Sequence, residues 1–134
     1  MDRMMRSTID NLRNELLEIQ DFVETTPSDD INEVVNRGND LVAYLARTSK
    51  ILADAKLLKD EKTNSTFIEE IKRISQLSPT VANKYIDSLC KDENYVVNWA
   101  ERLNRTCTHQ LDWCRSVLSK AKEEMRNLNL PNVR

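Results

Sequence analysis

The chain has 134 residues, a formal charge of −2, 31% charged and 5% aromatic side chains, one glycine and three prolines. That length fits a single domain over residues 1–134 that can bury a core without disulfide or metal staples, and so few turn formers exclude a sheet-rich fold with its many hairpins. No stretch approaches the roughly 20 apolar residues of a membrane span and the N-terminus lacks a secretory apolar core, so a cytoplasmic protein away from the membrane is expected.

Charge is unevenly spread. Residues 1–40 hold four basic and ten acidic side chains, residues 41–62 five basic and three acidic, and residues 102–126 six basic and three acidic. Any affinity for nucleic acid must therefore come from local clusters rather than from the net charge.

In chain order, Met5, Ile9, Leu12, Leu16, Ile19 and Val23 alternate spacings of four and three, which predicts an amphipathic helix ending near Thr25. Pro27 disfavours helix at Thr26, and Ser28 or Asp29 is positioned to cap the next helix, with Asp30 and Glu33 at its positive end. That second helix carries Ile31, Val34, Leu41, Leu45, Thr48, Leu52 and Ala55 in a three-four rhythm and should run to about Lys62. Gly38 falls on the same seam and reads as a point where another helix crosses closely, at a propensity cost of about 1 kcal/mol.

After Lys62-Thr63-Asn64-Ser65, the residues Phe67, Ile68, Ile71, Ile74 and Leu77 predict a short helix with one apolar face. Ser78-Pro79 starts another, a Ser cap followed by Pro at the first helical position, with Val81, Tyr85, Ile86 and Leu89 as its core face. The last helix is expected from Asp92, as cap, to about Asn127, with Val96, Trp99, Leu103, Thr106, Gln110, Trp113 and Val117 on its seam. Leu130-Pro131-Asn132 should stop it and leave residues 128–134 as a frayed tail. The fold class is all-α: three long amphipathic helices and a short central helical pair, as a bundle or a helical oligomer. The seams exceed what the short pair can cover. Leu41, Leu45, Leu52, Trp99, Leu103, Thr106, Gln110 and Trp113 are thus interface positions, bundled within one chain or shared between subunits, and a homo-oligomer is expected.

Groups for catalysis are sparse. His109 is the only histidine, and Cys107, two positions away, points to another face. A zinc site from Cys107, His109 and Cys114 fails because His109 is turned about 160° from the face the cysteines share. Cys90, Cys107 and Cys114 lack a CxxC pair and read as small buried side chains. Paired carboxylates lie at helix ends or on solvated faces, and no GxGxxG or Walker motif is present. No enzyme activity, cofactor or metal is expected.

Binding is better represented. Arg47, Lys50, Lys56, Lys59 and Lys62 make the end of the second helix basic, which serves the helix dipole and solubility or else nucleic-acid phosphates. Arg102, Arg105 and His109 form a stripe on the last helix, near Tyr95, Trp99 and Trp113, although seam positions place both tryptophans in the core. The run Asn104-Arg105-Thr106-Cys107-Thr108-His109-Gln110 interrupts an amphipathic helix with polar groups. It reads either as a register-setting hydrogen-bond device or as a polar channel or docking surface.

The stretch from Asn94-Tyr95-Val96-Val97-Asn98-Trp99 through His109-Gln110-Leu111-Asp112-Trp113-Cys114-Arg115-Ser116-Val117-Leu118-Ser119-Lys120, after a long helix containing Leu52-Ala53-Asp54-Ala55-Lys56, resembles small phage recombination mediators of the UvsY type. The likeness spans about three quarters of the chain in helix order and length. It implies a ring-forming accessory protein that binds single-stranded DNA and helps load a recombinase while displacing the single-strand-binding protein. Lys56 and Lys59 would match the basic end of the family's DNA-contacting helix, and the last helix its assembly element. The slightly acidic charge departs from that pattern. A second expectation is an all-helical adaptor or inhibitor of a phage or mobile element, acting on a protein partner through its acidic first helix.

Overall fold

The computed structural model describes residues 2–75 and 78–133, which form five helices and, among the described residues, no strand: α1 Asp2–Glu24, α2 Ile31–Thr63, α3 Thr66–Ser75, α4 Pro79–Leu89 and α5 Lys91–Val133. No helix of these residues is long and apolar enough to cross a membrane.

α1, α2 and α5 form a three-helix bundle whose largest contact joins α2 to α5. Those two run antiparallel: Gly38 faces Leu111 and Cys114, Asn104 reaches Leu45 and Ser49, and Lys62 pairs with Glu93. α1 runs parallel to α5, since Arg13 meets Asp92, Gln20 meets Trp99 and Val23 meets Gln110. The core holds Ile9, Leu12, Leu16, Ile19 and Val23 of α1, as their spacing requires. Met5, Phe67, Ile74 and Leu77 lie outside the residues whose side chains are described.

On α2 the buried stripe drifts. Val34, Leu41, Thr48 and Ala55 are buried as expected, but Leu45 and Leu52 are half-buried, Ile51 and Leu58 take the core beyond them, and Ile31 is exposed. The second line of the stripe lies three residues after Thr48 and Ala55 rather than four, while Val34, Leu41, Thr48 and Ala55, seven apart, stay buried along the helix. On α5 the buried residues are Val96, Ala100, Leu103, Cys107 and Cys114. Trp99, Thr106, Gln110 and Val117 flank that line, half-buried, and Trp113 is 38% exposed, which corrects its expected place in the core. Ala100, Cys107 and Cys114 recur every seven residues and bury their short side chains in the bundle core, Cys114 opposite Gly38 of α2. The large aromatics are thereby displaced to the flank.

Caps set the helix starts. The N-cap of α2 is Asp30, whose carboxylate accepts from the Glu33 N–H at 3.2 Å, while Ser28 accepts from the Asp30 N–H at 3.0 Å. The cap is thus one residue beyond the expected pair. Ser78 caps α4 by accepting from Val81 N–H, with Pro79 at the first helical position. α4 ends at Cys90, whose carbonyl also accepts from Asn94 N–H at 2.9 Å, so α5 begins at Lys91 and Asp92 lies inside its first turn rather than at the cap. Ile68, Ile86 and Cys90, with half-buried Leu89, form a second small core under α3 and α4.

α5 does not stop near Asn127. It continues as helix to Val133, so residues 128–133 are helical rather than a tail. Pro131 removes one N–H bond, to the carbonyl of Asn127. The preceding segment from Ser119 to Asn129 has no Gly or Pro and is rich in strong helix formers, which carries the helix past that loss.

Candidate nucleic-acid interface

The expected basic end of α2 is largely neutralised by its neighbours. Arg47 makes a two-pronged bond to Glu15 of α1, one arm at 2.7 Å; Lys50 pairs with Asp54 at 2.8 Å; and Lys62 pairs with the buried Glu93 at 3.3 Å. Lys56 and Lys59 have no ion pair among the described residues; Lys56 is exposed and Lys59 half-buried. Helical steps of about 100° per residue also spread these five cations around α2 instead of along one line. They do not converge on one surface.

α5 carries a better-defined stripe. Lys91, Tyr95, Arg102, His109, Trp113 and Lys120 follow one another at spacings of four, seven, seven, four and seven and are all exposed. These intervals keep the six within a band about 40° wide. At about 1.5 Å per residue the band runs roughly 43 Å. The neighbouring positions Asn98, Thr106 and Ser116 are uncharged, so no carboxylate interrupts the band. Of the two α5 cations expected at a nucleic-acid site, Arg102 lies on the band and has no ion pair among the described residues. Arg105 sits beside it and pairs with Glu101 at 2.8 Å.

The wall next to the stripe comes from α1. The Arg13 guanidinium lies 5.7 Å from the Tyr95 ring centre and bonds Asp92 at 3.3 Å, and Tyr95 packs against Trp99 with ring centres 5.6 Å apart. The Trp99 indole N–H donates to Gln20 at 3.0 Å, so this tryptophan is fixed at the α1–α5 seam. Trp113 makes no such bond among the described residues and stands past the end of α1.

The polar run of α5 works inside the chain. Gln110 donates to the Val23 carbonyl at 2.8 Å and accepts from Arg37 at 2.7 Å, tying the end of α1 to α2 and α5 together. Arg37 also stacks over Phe22, 4.8 Å from the ring centre. Asn104 donates to the Leu45 carbonyl and to the hydroxyls of Thr48 and Ser49 at 2.9 to 3.1 Å. Thr106 is half-buried and bonds only its own helix, at the Arg102 carbonyl. Gln110 and Asn104 thus set register between helices; of the two readings of this run, the hydrogen-bond device describes them.

Leu41 and Leu103 of the expected interface are core residues of the same bundle, with Leu45, Leu52 and Trp99 packed against that core. Cys107 and Cys114 are buried, and that burial pushes both thiols above the usual thiol range. Among the described residues no group of three His, Cys, Asp or Glu converges to hold a metal. Lys91, absent from the expected cluster, had a signal in its spacing, four residues before Tyr95 and eleven before Arg102; the exposure of Trp113 had none. Neither a family description, nor a curated protein, nor a solved structure matches this chain.

Proposed function

We propose that the chain is a non-enzymatic helical accessory protein that binds single-stranded DNA along the outer flank of α5, with Arg102, Lys91 and Lys120 on phosphates and Trp113 and Tyr95 stacking on bases. One observation carries this reading: cations and exposed aromatics alternate along one helix flank with no carboxylate between them. Phosphate contacts supply salt-dependent affinity, and aromatic faces accept any base. Lys56 and Lys59 remain accessory cations at the far end of α2; Arg47 and Lys62 are ion-paired to other helices, and Lys50 and Arg105 within their own. The likeness to UvsY-type mediators extends the reading to a cytoplasmic role in recombinase loading.

The test is fluorescence anisotropy with a labelled single-stranded oligonucleotide at low salt. Trp113→Ala should weaken binding by about tenfold or more, in line with about 1–3 kcal/mol per stacked base. Arg102→Ala should weaken it and lower the salt slope by about one. Lys62→Ala should leave binding unchanged. Absence of binding by the folded wild type rejects the reading. For the mediator role, addition of the chain should shorten the lag of recombinase-driven strand exchange in the presence of single-strand-binding protein.

A second reading rests on α1. Leu17, 48% exposed, stands among Asp10, Glu18, Asp21 and Glu24, an acidic face with one apolar anchor that fits an adaptor or inhibitor of a basic protein surface. Charge reversal at Asp21 would then abolish partner capture while oligonucleotide binding stays absent throughout.

A further inference from the structure

The seams of α1, α2 and α5 are consumed by one another, yet the face where α1 lies beside α5 keeps two large apolar side chains in solvent, Leu17 at 48% and Tyr95 at 56%, and Trp113, 38% exposed, continues it along α5 past the end of α1. Its two edges differ in charge. The α1 edge carries Asp10, Asp21 and Glu24 and the α5 edge Lys91 and Arg102, with Lys120 beyond the end of α1; Arg13 and Asp92, one on each helix, pair with each other between them. Because α1 and α5 run parallel, with Gln20 level with Trp99, Asp21 stands at about the height of Arg102. A two-fold axis parallel to the helices, in the plane of this face, therefore lays the acidic α1 edge of one copy on the basic α5 edge of the other at the same height. A perpendicular axis in that plane would set acid on acid.

From this we infer that the α1–α5 face is a self-association surface whose occupant is a second copy of the chain, related by a two-fold axis along the helices. The patch is self-complementary in charge, as an isologous contact requires. Tyr95 and Arg102 within it are of the residue types that anchor interfaces. The stretch where α1 and α5 lie side by side, from Lys91 to the level of Glu24, is about 20 Å long, and two helices wide, roughly 20 Å, it buries about 400 Å² on each copy. That area is below a standard-size complex and fits a weak, reversible dimer. A single strand and the second copy would compete for the α5 stripe, but the inference does not rest on the nucleic-acid reading.

Sedimentation velocity of the full chain, from low to high micromolar concentration and at two salt concentrations, tests it. A monomer–dimer equilibrium that weakens with salt is expected. Asp21→Arg and Arg102→Glu, both on exposed positions and checked for an unchanged melting temperature, should each weaken the dimer about fivefold or more. Mixing the two variants should restore dimers, because each then presents the charge the other needs at both contacts, a result peculiar to this two-fold. A wild type that stays monomeric, or a dimer indifferent to both substitutions, overturns the inference. An oligonucleotide arm separates the two readings: DNA bound by a chain that is monomeric without it overturns the dimer and leaves the nucleic-acid site standing. Salt-sensitive dimers with no DNA binding do the reverse.

Discussion

Glu15 and Arg47 meet where α1 crosses α2, and their bond sets a sign for the pH dependence of stability. The hydrogen bond from Arg47 holds the Glu15 carboxyl below the usual carboxylate range, against a smaller opposing effect of burial. A carboxylate with a depressed folded pKa stabilises fully above its unfolded value of about 4.3, and the contribution fades as pH falls through the folded value. Both side chains are more than a third exposed, so solvent screening limits the pair to under about 1 kcal/mol. Glu15→Gln should therefore lower the melting temperature slightly at pH 7 and make no difference near pH 2, as followed by circular dichroism. At this scale the sequence was readable where a residue type has few options. Burial of the three cysteines follows from their type and the absence of CxxC pairing, and the structure buries all three. The partners of Arg47 and Lys62 were not readable, because they lie on other helices, whereas Lys50 meets Asp54 one turn along its own helix.

Helix α2 contains Gly38 at a position where a Cβ would meet Cys114 Cβ and Leu111 Cδ1 at 4.0 Å each, ordinary contact distance. The crossing expected at Gly38 is present, but it leaves room for a methyl group. Gly38→Ala should then stabilise the protein by about 0.5–1 kcal/mol through helix propensity and a less free unfolded chain, measurable as a higher denaturant midpoint with an unchanged slope. Destabilisation would mean that α2 and α5 sit closer than this spacing. Helix number, type and approximate ends were legible because Pro27 and Ser78-Pro79 punctuate an otherwise uninterrupted helical pattern. The facing of α5 was not. Two frames, Trp99-Thr106-Trp113 and Ala100-Cys107-Cys114, both fit a heptad, and hydrophobicity favours the first. Close packing chose the second, since small side chains admit a neighbouring backbone and indoles do not. The candidate stripe, including Trp113, depends on that choice. The end of α5 was misplaced because a proline near a helix terminus costs one bond, not the whole turn.

As a molecule, the chain solves its burial problem internally: α1 and α5 run one way, α2 the other, and each long seam finds its partner within the same copy. Periodicity shows that a seam needs covering but carries no label for which chain covers it, so the expected sharing of Leu41 and Leu103 between subunits was open until the helices were placed. α5 then reaches further than the bundle. Its 43 residues correspond to about 65 Å of helix, whereas a compact domain of this length has a radius of gyration of about 14 Å. Val35 and Leu118 line the same surface groove at the start of α2, and Met125 and Leu128, past that point, are exposed. The result is a rod with a protruding end, and rods tumble slowly and are excluded early from porous media. A single copy should elute from gel filtration at the volume of a substantially larger globular protein, and small-angle scattering should give a radius of gyration several ångströms above the compact value. A compact value would mean that α5 breaks before its end. For this protein an early elution volume therefore reports helix length before it reports subunit number, and association has to be measured as mass.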